Sequence, residues 1–258
     1  MSPIHQKLRS RVFIEIVSAI SLVVAWWLVS LFSIPRYIPS PLSVFYLVIA
    51  NFANGSAPFH IYKTLTRVIV GFFASLGIGI ALGVLMGSKR VLEDYFKMLT
   101  VIALTIPSLC WAIFSVMWFG VAELVAYIPI TMITFPIVTV RVWEGVKAVD
   151  KSLVDMARTF RVSRLHIIRK VYIPMLMPHI LSSMRHSFAT SWKIATIVEV
   201  FGLSNGVGYM LSYYYRELYV AQLFAWAIIF VVIMIFVERF AFSEISKRAF
   251  KWRPETRL

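Results

Sequence analysis

Two ionisable side chains interrupt an apolar stretch in the last third of the sequence. Lys193 and Glu199 fall within residues 184–203, which are apolar enough to form a membrane-crossing helix. Lys193 would lie about 12 Å from the start of that helix, near the middle of a hydrocarbon core about 30 Å thick. An ammonium group there needs a cavity, a partner carboxylate or another subunit. Two interpretations stay open, a structural or snorkelling role and the attraction of an anionic substrate.

A small set of side chains could line a substrate pathway. Glu199 is rotated away from Lys193 on the helix and is predicted near the outer mouth. Trp111 and Trp118 are seven residues apart and share a face, so they serve either as packing and interface anchors or as stacking groups for a ligand. With the aromatic run at 213–215, Trp192 and Lys193 are consistent with a small organic or inorganic anion, such as a sulfonate, nitrate or an aromatic acid. The candidate pathway consists of Trp111, Trp118, Trp192, Lys193 and Glu199.

Catalytic and metal chemistry find little support in the sequence. The five histidines show no metal-ligand spacing, and the single cysteine, Cys110, lies in an apolar stretch, so no metal site and no membrane-embedded enzyme is expected. The stretch GVLMGSK at 83–89 lacks the spacing of a phosphate-binding loop. This chain is therefore expected to hold no cofactor and no ATPase site of its own.

Composition favours a membrane protein. The chain has 258 residues, of which 60% are hydrophobic, and a mean hydropathy of +0.80. An all-α fold with six transmembrane helices is predicted, in a single transmembrane domain covering 1–258, and the first apolar run is too long for a signal peptide. The spans are placed near 12–34, 62–87, 98–119, 121–141, 184–203 and 219–241.

The basic residues are unevenly distributed among the connections. The net charge of +14 could indicate nucleic acid, an anionic membrane face or an acidic partner. If the N-terminus is cytoplasmic, 21 of the 26 Lys and Arg residues fall on the cytoplasmic side, as the positive-inside rule requires. Both termini are therefore predicted to be cytoplasmic, and no nucleic-acid partner is expected.

Local signals predict how the spans begin, break and pack. Ser40-Pro41 and Asn54-Gly55 bound a short interfacial helix, and Pro107 breaks the third span. Lys63 and Arg67 are interpreted as anchors at the outer interface. Small residues recur every four positions in the second span and predict a close helix contact, which could also be a moving one. We call this set the small-residue seam: Gly71, Ser75, Gly79, Gly83 and Gly87.

The connection 142–183 is the longest, and it predicts two short helices outside the membrane. Ser152 and Asp155 have the spacing of a capping box for the first helix, and Ser163 can cap the second. Pro174 and Pro178 are expected to end the second helix. A basic amphipathic pair of this kind could lie on anionic lipid headgroups or provide a docking platform for a soluble partner.

The run DMARTFRVSRLHIIRKVYIPMLMP resembles the EAA loop of bacterial ABC-transporter permeases. Residues 155–157 take the positions of Glu-Ala-Ala, Arg161 takes that of the glycine, and residues 173–174 take those of the closing apolar residue and proline. Arg161 must either adopt a left-handed conformation at a cost of about 1 kcal/mol or change the turn. The segments IPSPLSVF, TLTRVIVGFFASLGIGIALGVLMG, IPSLCWAIFSVMWFG and GVKAVDKSLVDMARTF further resemble the nitrate, taurine and aliphatic-sulfonate branch.

The resemblance implies an importer subunit in the bacterial cytoplasmic membrane. It would pair with a second permease subunit, expected to be a copy of itself, above two ATPases that bind ATP and Mg²⁺, and an extracytoplasmic binding protein would deliver the substrate. The alternative is a secondary transporter driven by an ion gradient, although no internal repeat supports it. The residues expected to couple to the ATPases are Asp155, Met156, Ala157, Arg158, Phe160, Arg161, Arg164, Leu165, Ile168, Arg169 and Pro174.

Overall fold

The computed structural model is all-helical over the residues it describes, 3–34 and 37–249, with side chains described for 13–34 and 37–240. Contacts divide the chain into two compact units, Met1–Pro58 with Met210–Phe230, and Phe59–Tyr209 with Val231–Leu258. Within the described chain the helices are α1 Pro3–Phe32, α2 Pro41–Ala53, α3 Ser56–Ser88, α4 Arg90–Thr105, α5 Ser108–Phe119, α6 Leu124–Lys147, α7 Lys151–Thr159, α8 Arg164–Ile167, α9 Ile173–Gly202, α10 Val207–Arg216 and α11 Val220–Ala249.

Four of these helices are long and apolar enough to cross a membrane on their own. Two further pairs of helices pass the same test together, so the described residues supply up to six spans. The all-α prediction is confirmed. The single spans are Phe13–Phe32, Ser56–Ser88, Leu124–Lys147 and Val220–Phe240, so the second begins earlier and the fourth ends later than predicted.

In the first unit, α2 forms where the sequence predicted a short helix. The Ser40 side chain accepts a hydrogen bond from the Ser43 backbone N–H at 3.3 Å, and Pro41 occupies the first helical position. Asn51 of α2 donates to the Gln222 side chain at 2.9 Å. The Trp26 ring of α1 stacks against Phe224 at 5.9 Å. These polar and aromatic contacts join three helices whose remaining surface is largely apolar.

In the second unit, α3 packs along α6 through the small-residue seam. A Cβ at Gly71 would lie 2.5 Å from an Ile130 side-chain atom, and one at Gly79 would lie 2.5 Å from Val138 Cβ. Gly83 faces Val142 and Gly87 faces Val146 in the same way. The paired positions advance together along both helices, so α3 and α6 run parallel, and each glycine of the seam receives a β-branched side chain of α6.

The predicted third span, 98–119, is not one helix. The structure has α4 and α5 meeting at Pro107 with a 91° bend. Ile106 has an extended backbone, as the residue before a proline prefers, and Pro107 has no N–H to continue the α4 hydrogen-bond ladder. The expected kink is therefore a full break, and α4 starts as early as Arg90.

The predicted connection 142–183 is shorter in the structure. The fourth span runs on to Lys147, and the second short helix does not end at Pro174 or Pro178 but continues through a π-helical turn, Ile168–Tyr172, into α9. Pro174 lies in the first turn of α9, and the wider π turn just before it provides room for a proline ring that would otherwise clash with the preceding turn. The fifth span therefore begins well before the predicted residue 184.

Candidate functional site: a coupling hairpin and a buried charge network

The segment 150–172 folds as a helical hairpin with its own small apolar core. Val149, Val154 and Ile167 are buried together. Further apolar side chains pack around them, namely Ala157, Val162, Val171, Tyr172 and Met175. We call α7, the turn at 160–163, α8 and the π turn the coupling hairpin. Since its core joins both arms, the hairpin can move as one body.

The first helix of the coupling hairpin is capped by Asp150 and not by the predicted Ser152 capping box. The Asp150 carboxylate accepts a hydrogen bond from the Ser152 backbone N–H at 2.8 Å, and α7 starts at Lys151. Hydrogen bonds from the Ser152 hydroxyl and N–H lower the pKa of Asp150. Asp is as good an N-cap as Ser, and it comes two residues earlier in the chain. Ser163 does precede α8 in the extended conformation, although its side chain makes no capping bond.

The turn between the two arms adopts the first of the two conformations that the sequence allowed. Arg161 has a positive φ of 53°, as the glycine of the family pattern would. Its N–H bonds to the Arg158 carbonyl at 2.9 Å, and the Val162 N–H bonds to the Ala157 carbonyl at 3.0 Å. This is the Schellman pattern that ends a helix at a left-handed residue. The family geometry is kept at a cost in strain of about 1 kcal/mol.

The residues predicted to couple to a partner are spread over several parts of the surface of the coupling hairpin. Phe160 is 76% exposed at the tip, and we give the name exposed apolar face to four exposed apolar side chains of the hairpin: Met156, Phe160, Leu165 and Ile168. Ala157 and Pro174 line an apolar groove beside Met156. Arg158, Arg161 and Arg164 instead line a cleft toward the end of α3. Asp155 pairs with Arg158 at 3.6 Å, and Arg169 is exposed on the π turn.

A buried network of charges joins α3, α9 and the segment after α9. Arg67 and Glu199 are both 0% exposed, and their side chains lie 2.8 Å apart. The Glu199 carboxylate also accepts hydrogen bonds from the Thr64 hydroxyl and the Gly208 N–H, each at 2.9 Å. Gly206, at φ 113°, lies so close to this carboxylate that a Cβ there would overlap it. Every oxygen of Glu199 therefore has a partner, as a buried charge requires.

The Arg67 guanidinium extends the network to the α5–α6 connection. Its Nε and Nη2 donate to the two Glu123 oxygens at 2.8 and 3.1 Å, in the bidentate geometry that favours arginine over lysine. Further bonds reach the Asn205 carbonyl and side chain. Glu123 is 44% exposed, and the hydrogen bond from Arg67 lowers its pKa below the usual range. We call Arg67, Glu199, Glu123, Thr64 and Asn205 the buried charge network.

The network corrects one interpretation of the sequence. Arg67 is not an anchor at the membrane interface, because its side chain is fully buried against Glu199. The partners of Arg67 lie 56 and 132 residues away in the chain, so no local pattern joins them. The sequence does contain one signal for the network: Arg67, Glu123 and Glu199 are charged residues in predicted spans, and none of them has a local charge partner.

The predicted substrate-pathway residues occupy different environments. Trp192 is buried, with its ring 6.4 Å from that of Phe188. Lys193, the next residue of α9, is exposed. Trp118 is 67% exposed and stacks on Phe114 at 5.6 Å. Trp111 is half-buried on α5, and its indole N–H has no hydrogen-bond partner within the described residues. Of this set, Lys193 and Trp118 are the side chains open to an adjoining ligand or subunit.

Comparisons with known proteins agree with this architecture. The profile of the family described as "Binding-protein-dependent transport system inner membrane component" matches residues 75–250. The chain is 27% identical to the putative aliphatic sulfonates transport permease protein SsuC of Bacillus subtilis, over 84% of this chain and 78% of that protein. It is 26% identical to the taurine transport system permease protein TauC of Escherichia coli, over 74% of this chain and 72% of that protein.

A solved structure shares the fold. A chain from a crystal structure of inward-facing conformations of the MetNI methionine ABC transporter superposes with a TM-score of 0.62 at 19% identity, covering 73% of this chain and 93% of that one. The resemblance to ABC-transporter permeases of the sulfonate and taurine type is thereby confirmed. The chain belongs to the family of binding-protein-dependent transport system inner membrane components.

Proposed function

We propose that this chain is the membrane-spanning subunit of an ATP-driven importer and forms the substrate pathway by alternating access. The observation that carries the proposal is the coupling hairpin, whose first helix lies outside the candidate spans and whose tip holds a large apolar side chain, Phe160, that is 76% exposed. An exposed aromatic residue on a rigid, capped support is typical of a docking site for a protein partner. The partner would be a cytoplasmic ATPase that binds ATP and Mg²⁺.

The assembly would contain two copies of this chain, two ATPase subunits and an extracytoplasmic binding protein, in the cytoplasmic membrane of a bacterium. Movement of the ATPases would be transmitted through the coupling hairpin. The hairpin continues without a break into α9, through the π turn at Ile168–Tyr172. A displacement of the hairpin would therefore rotate or shift the whole α9 span.

The proposed substrate is a small anion of the sulfonate, taurine or nitrate type. Lys193 lies on the exposed side of α9, and no ion pair of this residue occurs within the described chain. An unpaired ammonium in a membrane span requires a polar surrounding, which a pathway between two copies would supply. SsuC and TauC are named for aliphatic sulfonates and taurine, both of which carry a sulfonate.

Phe160→Ala is expected to weaken ATPase association about 30-fold. Truncating a central apolar anchor of an interface typically costs about 2 kcal/mol or more. The measurement is the amount of ATPase that copurifies with the permease from membranes, together with ATP-driven uptake in vesicles. The matched control is Phe45→Ala, since Phe45 is similarly exposed, but on α2. Equal copurification with Phe160→Ala and the wild-type chain would argue against docking at the hairpin tip.

Lys193→Gln is expected to reduce ATP-driven uptake of a sulfonate about tenfold or more, whereas Lys193→Arg retains most of it. A hydrogen bond between charged groups contributes about 1.5–3 kcal/mol, and only the arginine variant keeps the charge. Initial uptake rates in vesicles provide the measurement. Arg185→Gln serves as the control, because Arg185 is on the same helix but bonds to Glu238 at 3.2 Å. Unchanged uptake with Lys193→Gln would remove Lys193 from the pathway.

A further inference from the structure

A basic cleft of about 940 Å³ lies between the end of α3 and the coupling hairpin. Pockets of this size are large enough for a small-molecule ligand. Val154 and Ile167, both buried, form an apolar floor. Four cations surround that floor, and we call the site the basic cleft: Lys89, Arg158, Arg161 and Arg164, with Ser88, Val162 and Tyr172.

The cations of the basic cleft are poorly neutralised by the protein. None of the residues that line the cleft is acidic. Arg158 has Asp155 at 3.6 Å, and the described residues provide no ion pair for Lys89, Arg161 or Arg164. Converging like charges repel one another, and an anion bound among them would relieve that repulsion.

The strained turn contributes directly to this cluster. Arg161 keeps its left-handed backbone, φ 53°, where glycine would be free of strain. Arg161 lines the cleft together with Arg158 and Arg164. Strain that persists at a concave charged site points to a function for the side chain, since the turn itself would be better served by glycine.

We propose that the basic cleft binds the phosphate-bearing headgroup of an anionic phospholipid. The inference rests on the proposed function, which places the coupling hairpin at the cytoplasmic membrane surface. Ser88 and Lys89 lie at the end of the candidate span Ser56–Ser88, where the apolar sequence gives way to charged residues, so the proposed function places them near the lipid headgroups. Basic pockets beside membrane helices on that side are typical sites for acidic lipids. Tyr172, half-buried, adds an aromatic group of the kind enriched at the interface.

Two features favour a lipid over the ATPase as the occupant. Val154 and Arg158 lie on the face of α7 opposite to Met156 and Phe160, so a partner docked on the exposed apolar face leaves the basic cleft open. The apolar floor matches the glycerol and upper acyl region of a lipid better than an acidic side chain. A bound headgroup would connect the end of α3 to the hairpin, so that lipid charge would influence coupling.

The test titrates the purified full-length chain with phosphatidylglycerol and counts bound lipids by native mass spectrometry, with phosphatidylcholine as the neutral lipid. The wild-type chain is expected to retain phosphatidylglycerol selectively. Arg161→Gly should weaken this binding about fivefold, and Lys89→Gln combined with Arg164→Gln about 25-fold, at about fivefold for each cation. Arg161→Gly should also raise the melting temperature, because it removes the backbone strain, and loss of lipid would then not reflect misfolding.

The matched control is Arg169→Gln with Lys170→Gln, which removes two cations of the same hairpin outside the basic cleft. Equal weakening by the control would mean diffuse attraction to the membrane and overturn the proposal. Unchanged binding by the cleft variants would also overturn it and favour acidic residues of the ATPase. Displacement of the lipid by inorganic phosphate at matched concentration would identify a soluble phosphate site instead. Because no ATPase is present, these results are independent of the Phe160 test.

Discussion

Replacing Arg67 by methionine is expected to lower the free energy of unfolding by about 3–5 kcal/mol. The substitution leaves Glu199 charged, fully buried and without its strongest partner. Two hydrogen bonds to Glu123 and those to Asn205 are lost as well. The measurement is the melting temperature of the detergent-purified chain, which should fall by roughly 6–20 °C for a protein of this size.

Variants of Glu199 and Glu123, the two acidic partners of Arg67, are expected to have different effects on stability. Glu199→Gln combined with Arg67→Met should recover part of the loss, because the double variant no longer contains an uncompensated buried charge. Glu123→Gln should be milder than Arg67→Met, since Glu123 is 44% exposed and water can replace part of its interaction. Additive effects of Arg67→Met and Glu199→Gln would show that the two side chains do not act as a pair.

Adding a single methyl group to the small-residue seam is expected to destabilise the chain by about 1–3 kcal/mol per site. In Gly79→Ala the new Cβ would lie 2.5 Å from Val138 Cβ and 2.8 Å from the Phe135 carbonyl oxygen. In Gly83→Ala it would lie 2.7 Å from Val142 Cβ and 2.8 Å from the Thr139 carbonyl oxygen. Because backbone atoms form part of each contact, α3 and α6 would have to separate. The melting temperature of the purified chain again provides the measurement.

Gly77 offers a matched control on the same helix. A Cβ at Gly77 meets nothing within 4 Å. Gly77→Ala should therefore be neutral or stabilising by up to about 1 kcal/mol, since alanine has the higher helix propensity. A Gly→Ala substitution that lowers stability therefore indicates a contact across the seam, whereas one that raises stability indicates helix propensity alone. A destabilisation at Gly77 equal to that at Gly79 would refute the packing explanation.

The parts of the fold that local chemistry determines could be predicted from the sequence. The seam follows from small residues at a spacing of four, α2 from a Ser-Pro start, and the position of the coupling hairpin from its charge and its family resemblance. The left-handed residue at Arg161 was one of the two outcomes that the family pattern allowed. Each of these features is encoded within a few residues.

Features that depend on distant or competing interactions could not be predicted. The buried charge network joins residues 56 and 132 positions apart, and only the packed spans bring them together. Proline breaks the helix at one site and not at another. At Pro107 two helices meet at a 91° bend, whereas Pro174 lies in the first turn of a helix that follows a π turn without interruption. The tertiary setting decides whether a neighbour satisfies the backbone groups that a proline leaves free.

Photo-crosslinking in membranes from a photoreactive phenylalanine analogue at position 160 tests whether the tip of the coupling hairpin contacts an ATPase. The hairpin tip, with Phe160 76% exposed, is predicted to yield a light-dependent adduct with an ATP-binding subunit. The same analogue at Tyr46, which is 71% exposed on α2, should yield none. If the variant with the analogue at position 160 supports ATP-driven uptake yet forms no adduct with an ATPase, the tip of the coupling hairpin is not the docking site for the ATPase.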